Sequence, residues 1–344
     1  MQDVISTSPR TSPSIRNLTY KIADHHLRVE ALDAWSACLA EGFLAGFHLS
    51  PVAPPPASRR FSRIKISSES AVPRVPPGLQ SFAVAHGHCL TDGERFFLDI
   101  DGSLIAVGQS SVNLIEVWFG HSARARHPIP LVNVISYALQ AALRRCGLYD
   151  LHAACVVERE SGTGILLAGT SGSGKSTLTL QLAASGWRYL TDDMIVLSEQ
   201  AKAIVAHGLR RLFAIGEKTI RATSGLSGLT AALGTPAASD PSKRRLEPTA
   251  LFPHGFAPSC VPSKLCFPVI TNEAVSRSER LAPAAAMARL IKLCPWASYD
   301  FQVAPDYLGV LSRVVKQCES SILFAGRDVL DQPARAARLL SSLS

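Results

Sequence analysis

Hydrophobic residues in the first third of the chain follow two different periods. Over residues 32–47 they recur every three or four positions, which predicts an amphipathic helix. After a Pro-rich connection, short runs alternate between apolar and polar residues, and Asp92-Gly93 and Asp101-Gly102 are typical hairpin turns. The alternation predicts five strands, at residues 61–67, 80–86, 95–101, 103–108 and 112–120.

These elements predict a strand-rich N-terminal α+β domain over residues 18–127. Residues 1–17 are rich in Ser, Thr and Pro and almost without apolar side chains, so we expect a disordered arm. A length of 344 residues suits two domains, and the remaining residues 128–344 form the second.

The pattern of apolar residues changes at the start of the second domain. One apolar face over residues 131–147 predicts a helix that ends at Gly147. Two apolar runs, residues 152–157 and 165–168, flank a turn-rich segment and predict a hairpin. A helix over residues 176–185 and a strand over residues 187–198, interrupted by two carboxylates, follow and indicate an α/β domain.

The charge of the chain excludes one class of partner. The 35 Lys and Arg residues exceed the 27 Asp and Glu residues, giving a formal net charge of +8. The basic residues lie in short dispersed clusters without interleaved aromatic residues, whereas a nucleic-acid surface concentrates them on one face. We expect solvated faces with a few anion contacts, and no nucleic-acid partner.

The hydrophobic stretches and the cysteines indicate the localisation of the protein and the state of its thiols. No run of about 20 apolar residues occurs, so we expect no membrane-spanning helix and no membrane partner. The first residues lack a basic patch followed by an apolar run, and we expect a cytoplasmic protein. The eight cysteines include no C-x-x-C pair, which favours buried free thiols over zinc sites or disulfides.

A glycine-rich motif lies between the strand predicted at residues 165–168 and the helix predicted at residues 176–185, and it indicates the chemistry of the chain. GTSGSGKS matches G-x-x-x-x-G-K-[ST], the loop whose backbone N–H groups wrap around a phosphate. The lysine reaches the β- and γ-phosphates, and the serine hydroxyl is a Mg²⁺ ligand. The motif and the next residue predict an ATP site at Gly169, Thr170, Ser171, Gly172, Ser173, Gly174, Lys175, Ser176 and Thr177.

Two adjacent carboxylates follow the helix after this loop. Asp192 and Asp193 interrupt the strand predicted over residues 187–198, and adjacent residues at a strand end point to opposite sides. One carboxylate is then placed to hold a metal and the other to contact an acceptor hydroxyl. The alternative is a helix N-cap or a turn pair, and the phosphate loop nearby favours the functional interpretation.

The region from His152 to Ser198 resembles the catalytic domain of the HPr kinase/phosphorylase family. These bacterial serine kinases have a P-loop domain that is similar to phosphoenolpyruvate carboxykinase. His152 at the head of the hairpin, GTSGSGKS, Gly186 after the helix and the aspartate pair match the family in type and spacing. The resemblance implies a P-loop kinase domain of this type, joined to the smaller N-terminal domain.

The resemblance also implies roles for individual residues. Asp193 becomes the proton acceptor for the substrate hydroxyl, His152 its catalytic partner, and Lys175 the phosphate clamp. The implied metal ligands are Ser176, Asp192 and Glu217, the last as the counterpart of a glutamate that the family carries after the aspartates.

Three cations lie after a segment rich in Gly, Ala, Ser and Thr, residues 223–242. Lys243, Arg244 and Arg245 either belong to a solvated loop or steady the transferring phosphoryl group from a mobile flap. Both interpretations stay open at the level of the sequence.

The implied function is ATP- and Mg²⁺-dependent phosphorylation of a serine on a peptide or small protein. KRRLEP, residues 243–248, and the closing segment, residues 324–340, resemble the branch that includes lasso-peptide tailoring kinases. That branch phosphorylates a terminal serine of a precursor peptide; the wider family acts on an HPr-like protein. A non-catalytic ATP-dependent peptide-binding or regulatory module and a kinase for free serine are alternatives. Family members with the full N-terminal domain form hexamers, which leaves a homo-oligomer open.

Overall fold

The computed structural model describes residues 16–47, 49–54, 61–68, 71–84, 87–93, 96–100, 103–107, 113–120, 123, 128–209, 212–223, 226, 228–237 and 240–342. These residues form two compact units. The first holds the described residues up to Leu148 together with Ser298–Pro305, and the second holds Tyr149–Ala297 and the residues from Asp306 onward.

The first unit is a mixed eight-stranded sheet with two helices. Its order is β1-β2-β3-β8-β7-β6-β5-β4, with β3 parallel to both of its neighbours and the other pairs antiparallel. The elements are β1 (Arg16–Ile22), β2 (His25–Ala31), α1 (Ala34–Ala45), β3 (Phe61–Ser67), β4 (Gln80–Val84), β5 (Gly87–Thr91), β6 (Phe96–Ile100), β7 (Ser103–Val107), β8 (Leu114–Trp118) and α2 (Pro128–Arg145).

Most of the strands predicted in this unit occur where the alternation places them. The helix predicted over residues 32–47 is α1, and Gly93, with φ of +92°, lies in the turn between β5 and β6. The Asp101-Gly102 turn lies outside the described residues. The strands β1 and β2 were not predicted, and β1 begins at Arg16, within the range expected to be a disordered arm. Residues 1–15 lie outside the described residues.

Helix α2 belongs to the first unit, although the predicted domain boundary at residue 127 precedes it. The helix contacts β3, β7 and β8, and residues on one of its faces, such as Leu139 and Ala142, are buried. Gly147 follows with φ of +79°, at the predicted helix end. Burial of the apolar face of α2 on this sheet moves the division between the units to Leu148.

The second unit is built on three sheets. Its elements are β9 (Tyr149–Leu151), β10 (Ala153–Val157), β11 (Gly164–Ala168), α3 (Lys175–Ala184), β12 (Arg188–Thr191), β13 (Ile195–Gln200), β14 (Ala203–Gly208), β15 (Phe213–Gly216), α4 (Glu217–Ala222), α5 (Leu229–Ala232), β16 (Leu233–Ala237), β17 (Asp240–Leu246), α6 (Pro248–Leu251), β18 (Ser259–Cys260), β19 (Pro262–Ile270), β20 (Arg277–Arg280), α7 (Pro283–Leu293), β21 (Glu319–Ala325), α10 (Arg327–Asp331) and α11 (Pro333–Ser341). Helices α8 (Trp296–Tyr299) and α9 (Ala304–Gln317) each include residues of both units.

The strands of the second unit confirm a mixed α/β architecture. The six-stranded sheet has the order β12-β10-β11-β19-β21-β20, in which β11, β19 and β21 are parallel. The four-stranded sheet has the order β18-β14-β13-β9, and the three-stranded sheet has the order β15-β17-β16. None of the helices in the described ranges is both long and apolar enough to cross a membrane.

The helix after the glycine-rich loop, α3, is buried on all sides. Leu178 and Leu182 belong to a hydrophobic core with residues of β10, β11 and α11. The helix ends in a Schellman motif, in which Gly186 N–H donates to Ala183 O at 3.0 Å and Trp187 N–H to Leu182 O at 3.0 Å. Gly186 has φ of +90°, a conformation that glycine adopts without strain, so the predicted helix end is confirmed.

All eight cysteines are free thiols. Five of them are buried, at Cys89, Cys155, Cys266, Cys294 and Cys318. Burial raises the pKa of Cys266 and of Cys318 to about 12, so neither forms a thiolate at neutral pH.

A buried aspartate fixes the start of α1 in the first unit. Asp33 is 1% exposed and accepts hydrogen bonds from the N–H and hydroxyl groups of Ser36 and Ser68, at 2.8–2.9 Å. Burial by itself raises the pKa of Asp33, and the four hydrogen bonds outweigh it, so the pKa lies below its ordinary 3.8. One carboxylate thus caps α1 and ties it to the end of β3.

We expect Asp33→Ala to lower the free energy of unfolding of the full chain by about 2–4 kcal/mol, because it removes a helix cap and leaves buried donors unpaired. Urea denaturation measures the loss. Asp24→Ala, which removes a mostly exposed carboxylate 3.9 Å from Lys21 Nζ, is the control and should cost less than about 0.5 kcal/mol. Because the folded-state pKa is lowered, the contribution of Asp33 is present at neutral pH and disappears as the pH falls below 3.8. Equal losses in both variants would contradict the assignment.

Candidate functional site

Three chain segments that carry the predicted chemistry meet at one edge of the six-stranded sheet, where β19 also ends. Strand β10 begins where β11 ends, because the two are antiparallel and Ala153 pairs with Ala168. Strand β12 ends at this edge as well, and so does β19, which is parallel to β11. In the order of the strands, the edge carries the aspartate pair, His152, the glycine-rich loop and Ile270.

The glycine-rich loop turns sharply between β11 and α3. Gly172 has φ of +83° and Gly174 has φ of +100°, in the left-handed region. At Gly174 the space is also limited, since a Cβ would lie 2.5 Å from Ile270 Cδ1. The strand, loop and helix that the motif requires are therefore present in the predicted order.

Lys175 begins α3 and lies almost entirely within the loop. The side chain is buried, with the residue 6% exposed, and its Nζ donates to Gly169 O at 2.7 Å and to Thr170 O at 3.0 Å. Burial desolvates the ammonium group and lowers its pKa; the carboxylates of Asp193 and Asp192 oppose this shift. The structure thus holds a cation inside the loop, near the aspartate pair.

The aspartate pair and His152 occupy two neighbouring crossings between sheets. The chain passes from the four-stranded to the six-stranded sheet at His152, and back again after Thr191. Leu151 pairs with Ile195 on one side of the crossings, and Cys155 pairs with Thr191 on the other. The residues between these two pairs are therefore forced to lie side by side.

At these crossings, His152 Nε2 lies 3.3 Å from Asp193 Oδ1. The side chains of His152 and Asp193 are 44% and 33% exposed, whereas Asp192 is 2% exposed. The two adjacent carboxylates thus have different surroundings, one buried and one open to an incoming group. The structure brings His152 and Asp193 together as the resemblance implies.

The pKa of His152 is lowered from its ordinary value of 6.5. Partial burial, which disfavours the imidazolium, is the main cause; Asp193 raises the pKa, and Lys175 and Lys243 lower it. His152 is therefore mostly neutral at pH 7, a state in which one ring nitrogen carries a proton and the other can accept one.

The three cations at residues 243–245 lie on a strand. Residues 223–242 were expected to form a loop, whereas their described part contains α5, β16 and the start of β17, paired in the three-stranded sheet. Lys243 Nζ lies 3.5 Å from Ser171 Oγ in the glycine-rich loop. Arg244 points to the other face and donates to Gly234 O at 2.9 and 3.1 Å. By the alternation of a strand, Arg245 shares the face of Lys243.

Glu217, a predicted metal ligand, begins α4. Its side chain is 76% exposed, and Arg221 Nη2 donates to its Oε1 at 2.7 Å. Helix α4 itself is anchored to α3, because Thr177 Oγ1 and Thr219 Oγ1 are 2.9 Å apart. The carboxylate thus lies on an element next to α3 and is paired with Arg221.

The donors at this edge fit a nucleotide phosphate and Mg²⁺. Loop N–H groups and Lys175 suit a phosphate, and Ser176 and the buried Asp192 are oxygen ligands of the type Mg²⁺ prefers. No group of three His, Cys, Asp or Glu side chains able to hold a metal occurs in the described part of the chain. Mg²⁺ sites in nucleotide-binding proteins need fewer, because phosphates and water complete the octahedron.

Two neighbours of the loop were not found from the sequence. Ile270 is the last residue of an apolar strand and gives no local signal of its contact with Gly174. Thr219 contacts the loop helix through a hydroxyl that no motif singles out. Both depend on strands and helices far apart in the chain.

Comparisons with known proteins show a likeness to solved structures but no sequence relative. No family model matches the sequence, and no curated protein matches it. The chain is similar to the structure of the Hpr(Ser) kinase/phosphatase from Coxiella burnetii, with 13% sequence identity and a TM-score of 0.30, over 56% of this chain and 93% of that chain.

We expect the pKa of His152 to fall further in Asp193→Asn, because the carboxylate raises it, and to rise in Lys243→Met, because the ammonium group lowers it. The titration of the imidazole C–H resonance by NMR measures both shifts, and His152→Gln assigns the resonance. Glu160→Gln, at an exposed carboxylate in the turn between β10 and β11, is the control and should leave the titration unchanged. A rise of the pKa in Asp193→Asn contradicts the contact.

Proposed function

We propose that this protein is an ATP- and Mg²⁺-dependent serine kinase that acts on a peptide or small protein. The observation that carries the proposal is the His152 Nε2 to Asp193 Oδ1 distance of 3.3 Å, at the same sheet edge as a GTSGSGKS loop between a strand and a helix. A carboxylate held beside a phosphate loop is the arrangement that phosphoryl transfer to a hydroxyl needs.

Asp193 is suited to accept the proton of the attacking hydroxyl. It is one-third exposed, so an acceptor can reach it, and His152 Nε2, 3.3 Å from Oδ1, is close enough to donate to the carboxylate and orient it. Phosphoryl transfer requires little covalent help from the enzyme, because positioning and charge neutralisation lower most of the barrier.

The cations at the loop neutralise the negative charge of the phosphates. Lys175 lies inside it and Lys243 reaches Ser171 from strand β17, so both approach an anion in the loop from different sides. Mg²⁺, held by Ser176 and Asp192, supplies further positive charge when bound together with ATP.

The acceptor is proposed from exposure and from resemblance. The open side chains of His152 and Asp193 suit a hydroxyl at the end of a flexible peptide, and the resemblance to lasso-peptide tailoring kinases favours the C-terminal serine of a precursor peptide. An HPr-like protein is the second acceptor to test.

We expect Asp193→Asn and Lys175→Ala each to lower γ-phosphate transfer to the acceptor by about 10²–10⁴-fold, since one removes the proton acceptor and the other a buried phosphate contact. Transfer from labelled ATP to the peptide encoded beside the gene, or to an HPr-like protein, is the measurement. Glu160→Gln, an exposed carboxylate in the same unit, should keep wild-type activity. Full activity in both site variants would falsify the assignment.

Lys243 and Arg244 provide a matched comparison within one strand. Lys243→Ala should lower the transfer rate by about 10–100-fold, because its ammonium group lies at the phosphate loop. Arg244→Ala, one residue along and on the opposite face, should change the rate by less than about threefold. Steady-state kinetics with the same acceptor measures both, and a larger loss in Arg244→Ala contradicts the orientation of the strand.

One observation favours a second candidate function. The Glu217 carboxylate is paired with Arg221 and largely exposed, so the predicted metal ligand is engaged elsewhere. This favours a module that binds ATP and a peptide without turnover. ATP-dependent peptide affinity without any phosphopeptide by mass spectrometry would select the module over the kinase.

A further inference from the structure

An apolar side chain lies against the phosphate loop on the side away from the aspartate pair. Ile270 ends β19, is 39% exposed, and lies so close to Gly174 that a Cβ there would be 2.5 Å from Ile270 Cδ1. Three residues of the same strand, Leu265, Cys266 and Phe267, are at most 3% exposed. The strand therefore emerges from the core at the loop and ends with an apolar side chain open to solvent.

The order of the strands shows on which side of the loop Ile270 lies relative to the proposed acceptor residues. The loop follows β11; the proposed acceptor residues His152 and Asp193 lie on the β10 and β12 side, and Ile270 lies on the β19 side. For transfer, the terminal phosphate in the loop must face Asp193. The end of β19 is the side of the loop opposite to Asp193, and we expect the other end of a bound phosphate chain there.

We infer that Ile270 is the contact surface for the nucleoside of the bound nucleotide. The phosphoryl donor is then a nucleoside triphosphate and not an inorganic polyphosphate. An aliphatic side chain offers apolar area to the face of a base or ribose and has no group to read the base edge, so this contact holds adenine and guanine nucleotides about equally. The inference rests on the proposed function, because it takes the loop as a triphosphate site.

The experiment separates the nucleoside from the phosphates. Calorimetry gives the Kd of Mg²⁺-ATP, Mg²⁺-GTP and Mg²⁺-tripolyphosphate for the full chain and for Ile270→Ala, Ile270→Thr, Lys175→Ala and Val261→Ala. Val261→Ala is the matched control, since this 52% exposed side chain lies just before the other end of β19. Thermal melting checks that each variant is folded.

We expect the variants to differ in which of the three ligands they bind more weakly. Ile270→Ala raises the Kd of both nucleotides roughly tenfold and that of tripolyphosphate less than about twofold, because only the nucleoside loses an apolar contact. Ile270→Thr, which keeps the β-branch but lacks Cδ1, gives a smaller selective loss. Lys175→Ala weakens all three ligands, and Val261→Ala none.

Two outcomes overturn the inference alone. Equal weakening of nucleotide and tripolyphosphate binding in the Ile270 variants makes Ile270 a support of the loop, and unchanged binding of all ligands removes it from the site. Failure of the wild-type protein to bind any of the three ligands instead overturns the proposed function, and the inference falls with it.

Discussion

The candidate site depends on one constraint, the side-by-side passage of two chain segments between two sheets. Strands β9 and β13 pair in the four-stranded sheet, and β10 and β12 pair in the six-stranded sheet. Backbone hydrogen bonds therefore fix both segments on either side of the crossing, where neither can slip without breaking a ladder. His152 and Asp193 lie in the short stretches between, so their contact follows from strand pairing and not from side-chain attraction alone.

The same sheet positions the loop. Strand β11 lies between β10 and β19, so the loop that follows it has His152 on one side and Ile270 on the other. Helix α3 is buried on all sides in the core of the unit, and a buried helix cannot tilt without opening cavities. The direction of its N-terminus, and with it the anion site, is therefore set by packing remote from the loop.

The local chemistry could be predicted from the sequence because it is encoded in short motifs. Gly172 and Gly174 mark the loop, Gly186 the end of α3, and Asp192 and Asp193 the break in the predicted strand, all through local sequence signals. That the two halves of this strand belong to different sheets was not predicted. The sequence left the role of Lys243 open, since the preceding residues 223–242 have the composition of a loop. Strand β16 and the start of β17, which lie in this range, form by pairing with each other, and Lys243 itself pairs with Gly216 of β15. Strands β1 and β2 were missed for the same reason: their polar faces resemble coil until partners bury the other side.

Electrostatics explains why such a site suits an anion. Lys175 is buried beside carbonyl groups, and its lowered pKa shows that the carboxylates of Asp193 and Asp192 do not fully compensate for the lost hydration. Lys243 adds positive charge and lowers the pKa of both Lys175 and His152. An anion in the loop relieves this local excess of positive charge, to which Lys175 and Lys243 both contribute. Burial is the main cause of the lowered pKa of His152, and the two lysines at the loop lower it further against the opposing effect of Asp193.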